Sequence, residues 1–191
     1  MIAQLEDLGD LHGKTVLVRT DFNVPMSGPD DNRTIVDDFR IQSSLETLNW
    51  LISKGAKVVC ATHLGRPKGK PVAKFSLDPI RKRLNELVPG VTLLENLRFD
   101  EGEESNDPKF VEKLIQDIDV YVNDAFGATH RAHASIVGPP KSLPSAAGRL
   151  LQRELEILSQ MRSNPKRPFV AVLGGAKISD KLGVIEALMK V

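Results

Sequence analysis

Short apolar runs alternate along the chain with segments whose apolar residues recur at helical spacing. The runs at 16–18, 57–62, 91–94 and 120–123 are rich in β-branched and aliphatic residues, which is typical of strands buried on both faces of a parallel sheet. A further run at 169–173 has the same character. The pattern therefore predicts five strands.

Helices are predicted between these strands, because apolar residues follow one another three or four positions apart. A proline-rich connector at 139–144 precedes the longest helical pattern, which covers 146–161. Asp107 followed by Pro108 is a helix start signal. The apolar positions that define the shorter helices are Ile41, Leu45, Leu48 and Ile52; Leu77, Ile80, Leu84 and Leu87; Val111, Leu114 and Ile115; and Leu182, Ile185 and Met189.

The alternation of strands and helices predicts an α/β fold. We expect a Rossmann-like parallel sheet with helices on both faces, arranged as three layers, α/β/α. The connector at 139–144 is the best candidate for a domain boundary. The last helical pattern reaches Val191 without a cap, a glycine or a proline, so we expect the chain to be part of a longer protein.

Composition narrows the class of protein. The 191 residues are 41% hydrophobic and 27% charged, as in ordinary globular proteins, and a net charge of +1 gives no support to nucleic-acid binding. Cys60 is the single cysteine and has apolar neighbours, so we expect a buried structural thiol and no disulfide framework. The first residues show neither a basic start nor a long apolar stretch, and a cytoplasmic location is expected.

Cationic residues follow each of the five predicted strands. In the order of the strands they are Arg40; His63 and Arg66; Arg98; His130 and Arg131; and Lys177 and Lys181. Because the carboxyl ends of parallel strands share one edge of a sheet, we expect these groups to converge. Several arginines with few counter-charges indicate a small ligand with carboxylate or phosphate groups, which the planar guanidinium can bind bidentately.

Each of these residues also has a purely structural interpretation. A single arginine after a strand is often a solvated charge, and a lone histidine is more often a capping or packing group than a ligand. Asp21 and Asn23 lie two and four positions after Arg19, and an Asx-turn with a salt bridge explains them as well as a ligand site does. The Gly-Gly-Ala-Lys turn at 174–177 resembles a phosphate-binding helix start, but a structural turn is an equal alternative.

Five ordered blocks carry a more specific signal. They are Arg-Thr-Asp-Phe-Asn-Val-Pro at 19–25, Thr-His-Leu-Gly-Arg-Pro at 62–67, Leu-Glu-Asn-Leu-Arg-Phe at 94–99, a block at 123–133 that begins Asn-Asp-Ala-Phe-Gly, and one at 173–181 that begins Leu-Gly-Gly-Ala-Lys. Together they closely resemble the phosphoglycerate kinase family. The resemblance implies a glycolytic phosphotransferase that moves a phosphoryl group reversibly between 1,3-bisphosphoglycerate and ADP, giving 3-phosphoglycerate and ATP.

The resemblance also implies how the chain is divided. Residues 1–145 would form the domain that binds 3-phosphoglycerate, 146–162 the interdomain helix, and 163–191 the first strand and helix of a truncated nucleotide-binding domain. The family's magnesium-binding aspartate would lie beyond this chain, so magnesium with ATP or ADP is expected in the full-length enzyme and no metal ligand is expected here. We expect this fragment to bind substrate without turnover. The full-length enzyme is expected to be a monomer without nucleic-acid or membrane partners.

Site residues follow from the resemblance, position by position. The 3-phosphoglycerate contacts would be Asp21, Asn23, Arg40, His63, Arg66, Arg98 and Arg131. Arg40 would also face the transferring phosphoryl group, Lys177 would neutralise its charge and bind nucleotide, and Lys181 would contact nucleotide phosphates. The nucleophile is an ionised carboxylate, so positioning and cationic stabilisation can carry the reaction without a general base. The histidines would then be positioning groups.

The sequence departs from the family pattern in two places. Ala128 and Thr129 stand in the opposite order from the expected one, and Arg149 replaces an apolar residue, which puts the packing of the interdomain helix in doubt.

Two other classes of protein remain possible interpretations of the sequence. A binding module without catalysis would show the same arginines. A nucleic-acid binder would need basic residues interleaved with exposed aromatic side chains, and the sequence has no such series.

Overall fold

The computed structural model describes residues 2–30, 32–163, 165–174 and 182–189. The chain is divided into two compact units, Met1–Gln152 and Arg153–Val191. The first unit contains the sheet and the candidate site. The second contains most of one long helix, an extended segment and a short helix.

Five parallel strands form the sheet of the first unit. They are β1 (Thr15–Arg19), β4 (Lys57–Ala61), β5 (Thr92–Leu93), β6 (Val120–Asn123) and β7 (Ser145–Ala147), in the spatial order β5-β4-β1-β6-β7. Two short strands, β2 (Met26–Ser27) and β3 (Thr34–Ile35), form a separate antiparallel hairpin. The direction of winding reverses between β1 and β6, which creates the kind of switch point where open α/β sheets bind ligands.

Helices pack on both faces of this sheet. In chain order, the α-helices of the described residues are α1 (Phe39–Gln42), α2 (Leu45–Ser53), α3 (Asp78–Leu87), α4 (Glu101–Ser105), α5 (Pro108–Leu114), α6 (Phe126–Thr129), α7 (Ala134–Val137), α8 (Arg149–Ser163) and α9 (Leu182–Leu188); α9 belongs to the second unit and is not part of the layers around this sheet. The parallel sheet between two helical layers confirms the predicted fold class. Asp107 caps α5 as expected, because its Oδ1 accepts a hydrogen bond of 2.8 Å from the backbone N–H of Lys109.

Alternate residues of the strands enter two separate hydrophobic clusters. Val16 and Val18 pack in one cluster with Leu48 of α2, whereas Leu17 packs in the other with Leu114 of α5. This alternation is the two-residue period of a strand that is covered on both faces. Each such side chain contributes about 1.5 to 3 kcal/mol on burial. Cys60 is fully buried in the first cluster, as predicted.

Three predicted elements need correction. The helix expected over 41–52 is two helices, and the Ser43 hydroxyl between them donates 2.7 Å to the carbonyl of Phe39, a local bond that competes with the helix. The long helix begins at Arg149 rather than at 146, because 145–147 pair with β6 as β7. The strand expected over 169–173 is not formed: 165–174 contain no strand, since an apolar run needs a neighbour to form a ladder.

Candidate functional site

Two loops are joined at the carboxyl edge of the sheet, one after β1 and one after β4. The hydroxyl of Thr62 accepts a hydrogen bond from the N–H of Phe22 at 2.8 Å and donates one to the carbonyl of Thr20 at 2.9 Å. The N–H of Thr20 also donates to the carbonyl of Ala61 at 2.9 Å. The loops therefore lie side by side, although about forty residues separate them in the chain.

The backbone of Gly65 links the loop after β4 to Asn23 in the loop after β1 and to Arg98 after β5. Its N–H donates to Oδ1 of Asn23 at 2.9 Å, and its carbonyl accepts from Nη1 of Arg98 at 2.7 Å. The residue has φ +62°, and a Cβ there would lie 2.2 Å from a ring carbon of Phe75, so a larger residue would be both strained and crowded. Arg66 follows directly and is exposed.

Asp21 and Arg40 form an ion pair at the switch point. Nη1 of Arg40 donates to Oδ2 of Asp21 at 2.6 Å, and a Cβ added to Gly127 would lie 2.6 Å from the same oxygen. The loop after β1 and helix α6, which follows β6, therefore meet here. Oδ1 of Asp21 accepts a long 3.4 Å bond from the N–H of Asn23, so the Asx-turn contact and the salt bridge of the structural interpretation are both present.

His63 is buried and neutral. Its Nδ1 lies 3.2 Å from Nη2 of Arg19 and 4.0 Å from Oδ1 of Asp21, and only 7% of the residue is exposed. Burial, followed by the positive charges of Arg19 and Arg98, lowers the pKa of His63 to about 2. The contact with Asp21 is therefore not an ion pair at neutral pH.

A buried charged network lies beneath His63. Nε of Arg19 donates to the hydroxyl of Ser135 at 2.8 Å, and that hydroxyl donates to Oε1 of Glu103 at 2.7 Å. The N–H of Ser135 donates to Oε2 of Glu103 at 2.9 Å, and the phenol of Tyr121 donates to the carbonyl of Ser135 at 2.7 Å. Arg19 and Glu103 are at most 1% exposed. Nδ1 of His133 lies 3.8 Å from Oε1 of Glu103.

Arg98 is held by a rigid loop. Oδ1 of Asn96 accepts from the N–H of Leu64 at 3.2 Å and of Arg98 at 3.1 Å, and Nδ2 of Asn96 donates to two carbonyls, those of Leu64 and Phe75. Nε of Arg98 lies 3.2 Å from a carboxylate oxygen of Glu104, without the alignment of a hydrogen bond. Burial lowers the pKa of Arg98, while Glu104 opposes that change. Only 4% of the Arg98 residue is exposed.

Asp124 holds the start of α8. Its Oδ1 accepts from the N–H of Leu150 at 3.0 Å, and the hydroxyl of Thr47 accepts from the N–H of Arg149 at 2.9 Å. Burial raises the pKa of Asp124 to about 6. The Arg149 side chain forms a two-point ion pair with Glu6 and lies 5.6 Å from the ring centroid of Trp50, which accounts for a charge at this position.

The structure brings together most of the predicted substrate residues. Asp21, Asn23, Arg40, His63 and Arg98 are connected through the two loops and Gly65. Arg131 lies close enough for its charge to lower the pKa of His63 and of Arg98, and Arg66 extends from the same loop as His63. Lys177 and Lys181 lie outside the described residues.

Sequence reasoning gave no role to five residues that support the site. Arg19 carried a signal, since a charge that ends an apolar strand requires a buried partner. Glu103 and Ser135 carried none, because only tertiary structure brings α4 and α7 to the end of β1. Asn96 and Asp124 stood inside recognised blocks, and nothing local distinguished them from their neighbours.

The described residues contain neither a metal-binding cluster nor a membrane-spanning helix. Among 2–30, 32–163, 165–174 and 182–189, no cluster of three or more His, Cys, Asp or Glu could hold a metal ion. In the same part of the chain, no helix is long and apolar enough to cross a membrane.

A doubly wound sheet with arginines at its switch point is typical of α/β domains that bind a small anionic ligand. The particular family follows from sequence comparison. A profile described as phosphoglycerate kinase matches residues 5–92 and 89–191, so the chain belongs to the phosphoglycerate kinase family.

Relatives with this description are similar over nearly all of the chain. "Phosphoglycerate kinase" from Rubrobacter xylanophilus is 48% identical over 205 aligned positions, covering 95% of this chain and 51% of the relative. "Phosphoglycerate kinase 1, chloroplastic" from Arabidopsis thaliana is 51% identical and covered over 42% of its length. The phosphoglycerate kinase structure from Coxiella burnetii superposes with TM-score 0.89 at 34% identity, over 100% of this chain and 52% of that one. The chain thus spans about half the length of these relatives.

The alignments also show that residues are missing inside the chain. They extend over 205 positions, which exceeds the 191 residues present, so the relatives carry residues that have no counterpart here. The two profile matches meet at 89–92, at the short connection between α3 and β5. Beside β5 lies a cavity of about 670 Å³ whose lining includes Val59, Leu94 and Phe110.

Proposed function

We propose that this chain is the 3-phosphoglycerate-binding part of a glycolytic phosphoglycerate kinase. The observation that carries the proposal is the convergence of Asp21, Asn23, Arg40, His63 and Arg98 at the switch point. Membership of the phosphoglycerate kinase family supports the choice of ligand. Membership of this family also disfavours a nucleic-acid-binding function.

Different cationic groups would bind different parts of the ligand. Arg66 and Arg131, which retain exposure, would bind ligand oxygens directly, and Arg98 would bind from a fixed position. Arg40 would exchange part of its contact with Asp21 for the ligand's reacting end. Asn23 would hold the loop of Gly65 in register and offer its amide to a hydroxyl or carboxylate.

The reaction would need charge stabilisation rather than proton transfer. A carboxylate oxygen of 3-phosphoglycerate attacks the terminal phosphorus of ATP, a new P–O bond forms, and the bond to the ADP oxygen breaks. Magnesium would neutralise nucleotide phosphate charge when bound. Arg40 and Lys177 would face the transferring group as catalytic residues, and Lys181 would contact nucleotide phosphates. Neutral His63 fits a positioning role, because no base is required.

The domain roles also belong to this proposal. Residues 1–145 would bind 3-phosphoglycerate, 146–162 would link the domains, and 163–191 would begin the nucleotide domain. We propose a cytoplasmic monomer for the full-length enzyme.

Calorimetric titration of the 191-residue chain with 3-phosphoglycerate tests the proposal. We expect weak, saturable binding that does not require magnesium, since every residue assigned to this ligand precedes Ala132. Glycerol 3-phosphate, which lacks the carboxylate, is the matched control and should bind about tenfold or more weakly. A coupled kinase assay should show no measurable turnover by this chain alone. Equal binding of the two ligands would contradict the assignment.

A further inference from the structure

We propose that Arg19 is a positioning residue that fixes the tautomer of His63, so that Nδ1 accepts and Nε2 carries the hydrogen offered to the ligand. The proposal concerns Arg19, Ser135 and Glu103, which the substrate-binding assignment does not include. It deepens the proposed function and rests on it only where the ligand is concerned. The tautomer itself is a property of the ligand-free chain.

The first step is the donor chemistry of arginine. A guanidinium has five N–H donors and no acceptor, so any ring nitrogen in hydrogen-bond contact with it must accept. Nη2 of Arg19 lies 3.2 Å from Nδ1 of His63. The neutral ring then carries its single hydrogen on Nε2. A doubly protonated ring would place two cations in contact inside the protein.

The second step is that Arg19 cannot turn away. Its Nε donates to the Ser135 hydroxyl at 2.8 Å, and its Nη1 donates to the carbonyl of Thr20. Each nitrogen of the guanidinium therefore has a different partner, one of which is His63. At 1% exposure the arginine does not reach solvent or a ligand, so its effect on the site passes through the histidine.

The third step is the counter-charge that keeps the arginine in place. Glu103 is 0% exposed, and its Oε1 lies 4.0 Å from Nη2 of Arg19 and accepts from the Ser135 hydroxyl at 2.7 Å. The serine hydroxyl thus accepts from the arginine and donates to the glutamate. Fully satisfied buried networks of this kind specify one arrangement of their members.

Ring-nitrogen chemical shifts of isotope-labelled protein measure the tautomer directly. His63→Gln identifies the His63 signals among the four histidines, because those signals disappear. In the ligand-free wild-type chain we expect a hydrogen on Nε2 and none on Nδ1. In the double variant Arg19→Met/Glu103→Gln, which removes both buried charges together, the two nitrogen shifts should move toward each other as the tautomers mix.

Two controls separate positioning from general loss of stability. Leu51→Ala creates a cavity in the hydrophobic cluster that contains Val16 and Val18, and it should leave the His63 shifts unchanged. Glu103→Gln alone keeps the arginine donor and should retain the wild-type tautomer. A hydrogen on Nδ1 of His63 in the wild-type chain would overturn the proposal, even if the double variant did not fold. So would unchanged shifts in the double variant, or equal changes in Leu51→Ala.

The binding consequence is tested with two amides. The Gln nitrogen in His63→Gln can replace a donor at Nε2, whereas the shorter side chain in His63→Asn mimics the Nδ1 position. We expect 3-phosphoglycerate to bind His63→Asn about tenfold more weakly than His63→Gln. Equal affinities would contradict the assigned donor. Failure of the wild-type chain to bind would overturn the proposed function and leave the spectroscopic result standing.

Discussion

The buried and the exposed parts of the basic site differ in what holds their charges. Arg19 and Glu103 lie beneath the site, where each is satisfied by protein groups and closed to water. Arg40 has a side chain that is 50% exposed, and it forms an ion pair with Asp21. Each guanidinium nitrogen of Arg19 has a protein partner without any ligand. The half-exposed guanidinium of Arg40 can offer N–H donors to a ligand. The difference separates residues that organise the site from residues that bind.

Glu103→Gln should give the largest effect, because it breaks the buried part. The change leaves the Arg19 charge without a counter-charge in a region closed to water, so we expect a loss of about 3 to 5 kcal/mol in unfolding free energy. Urea unfolding followed by circular dichroism measures it. Arg83→Gln, which breaks the exposed ion pairs with Asp38 and Glu86, is the control and should cost far less than Glu103→Gln. Similar losses in both variants would remove the distinction.

Asp124 provides a second buried carboxylate, whose Oδ1 accepts a hydrogen bond from the backbone N–H of Leu150. Its pKa is about 6 in the folded chain against an ordinary 3.8, so the folded state holds the proton more tightly than the unfolded state. Its contribution to stability is therefore greatest below about pH 4 and falls as the pH rises to about 6. The loss amounts to at most about 3 kcal/mol.

Asp124→Asn should remove this dependence while keeping an oxygen that accepts from Leu150. Between pH 4 and pH 7, the unfolding free energy of the wild-type chain should fall relative to that of the variant. Urea unfolding at several pH values in this interval provides the measurement. Parallel curves for the two proteins would show that the carboxyl titrates normally.

Arg66→Ala tests the exposed part. We expect 3-phosphoglycerate binding to weaken about ten- to a hundredfold, the range for one charge-assisted contact. The unfolding free energy should change by no more than about 0.5 kcal/mol, because the side chain is exposed. A large loss of stability with unchanged affinity would place Arg66 among the organising residues.

The fold was predictable from particular sequence features, and its exceptions have physical causes. Apolar runs and helical spacing gave four sheet strands and the three-layer class. The fifth sheet strand is 145–147 rather than 169–173, because pairing with Tyr121 and Asn123 decides strand formation and Ser-Ala-Ala has little apolar signal of its own. The residues that the relatives carry and this chain lacks were equally invisible, since a missing segment leaves no pattern in the chain that lacks it.

The candidate site also has a part that the sequence predicts and a part that it does not. Loop cations were predictable from strand ends, and Arg40, His63 and Arg98 do converge. Their supports were not predictable, because Glu103 and Ser135 are distant in sequence from Arg19 and meet it only in the folded chain. Local pattern identifies side chains that face a ligand better than it identifies those that orient them.

The most direct test compares Arg98→Ala with Lys177→Ala in calorimetric titrations of 3-phosphoglycerate. Arg98 belongs to the proposed substrate site, whereas Lys177 is assigned to the phosphoryl group in transit and should not contact this ligand. We predict about a ten- to hundredfold loss of affinity for Arg98→Ala and affinity within about twofold of the wild type for Lys177→Ala. Equal losses in the two variants would contradict the assignment of the site.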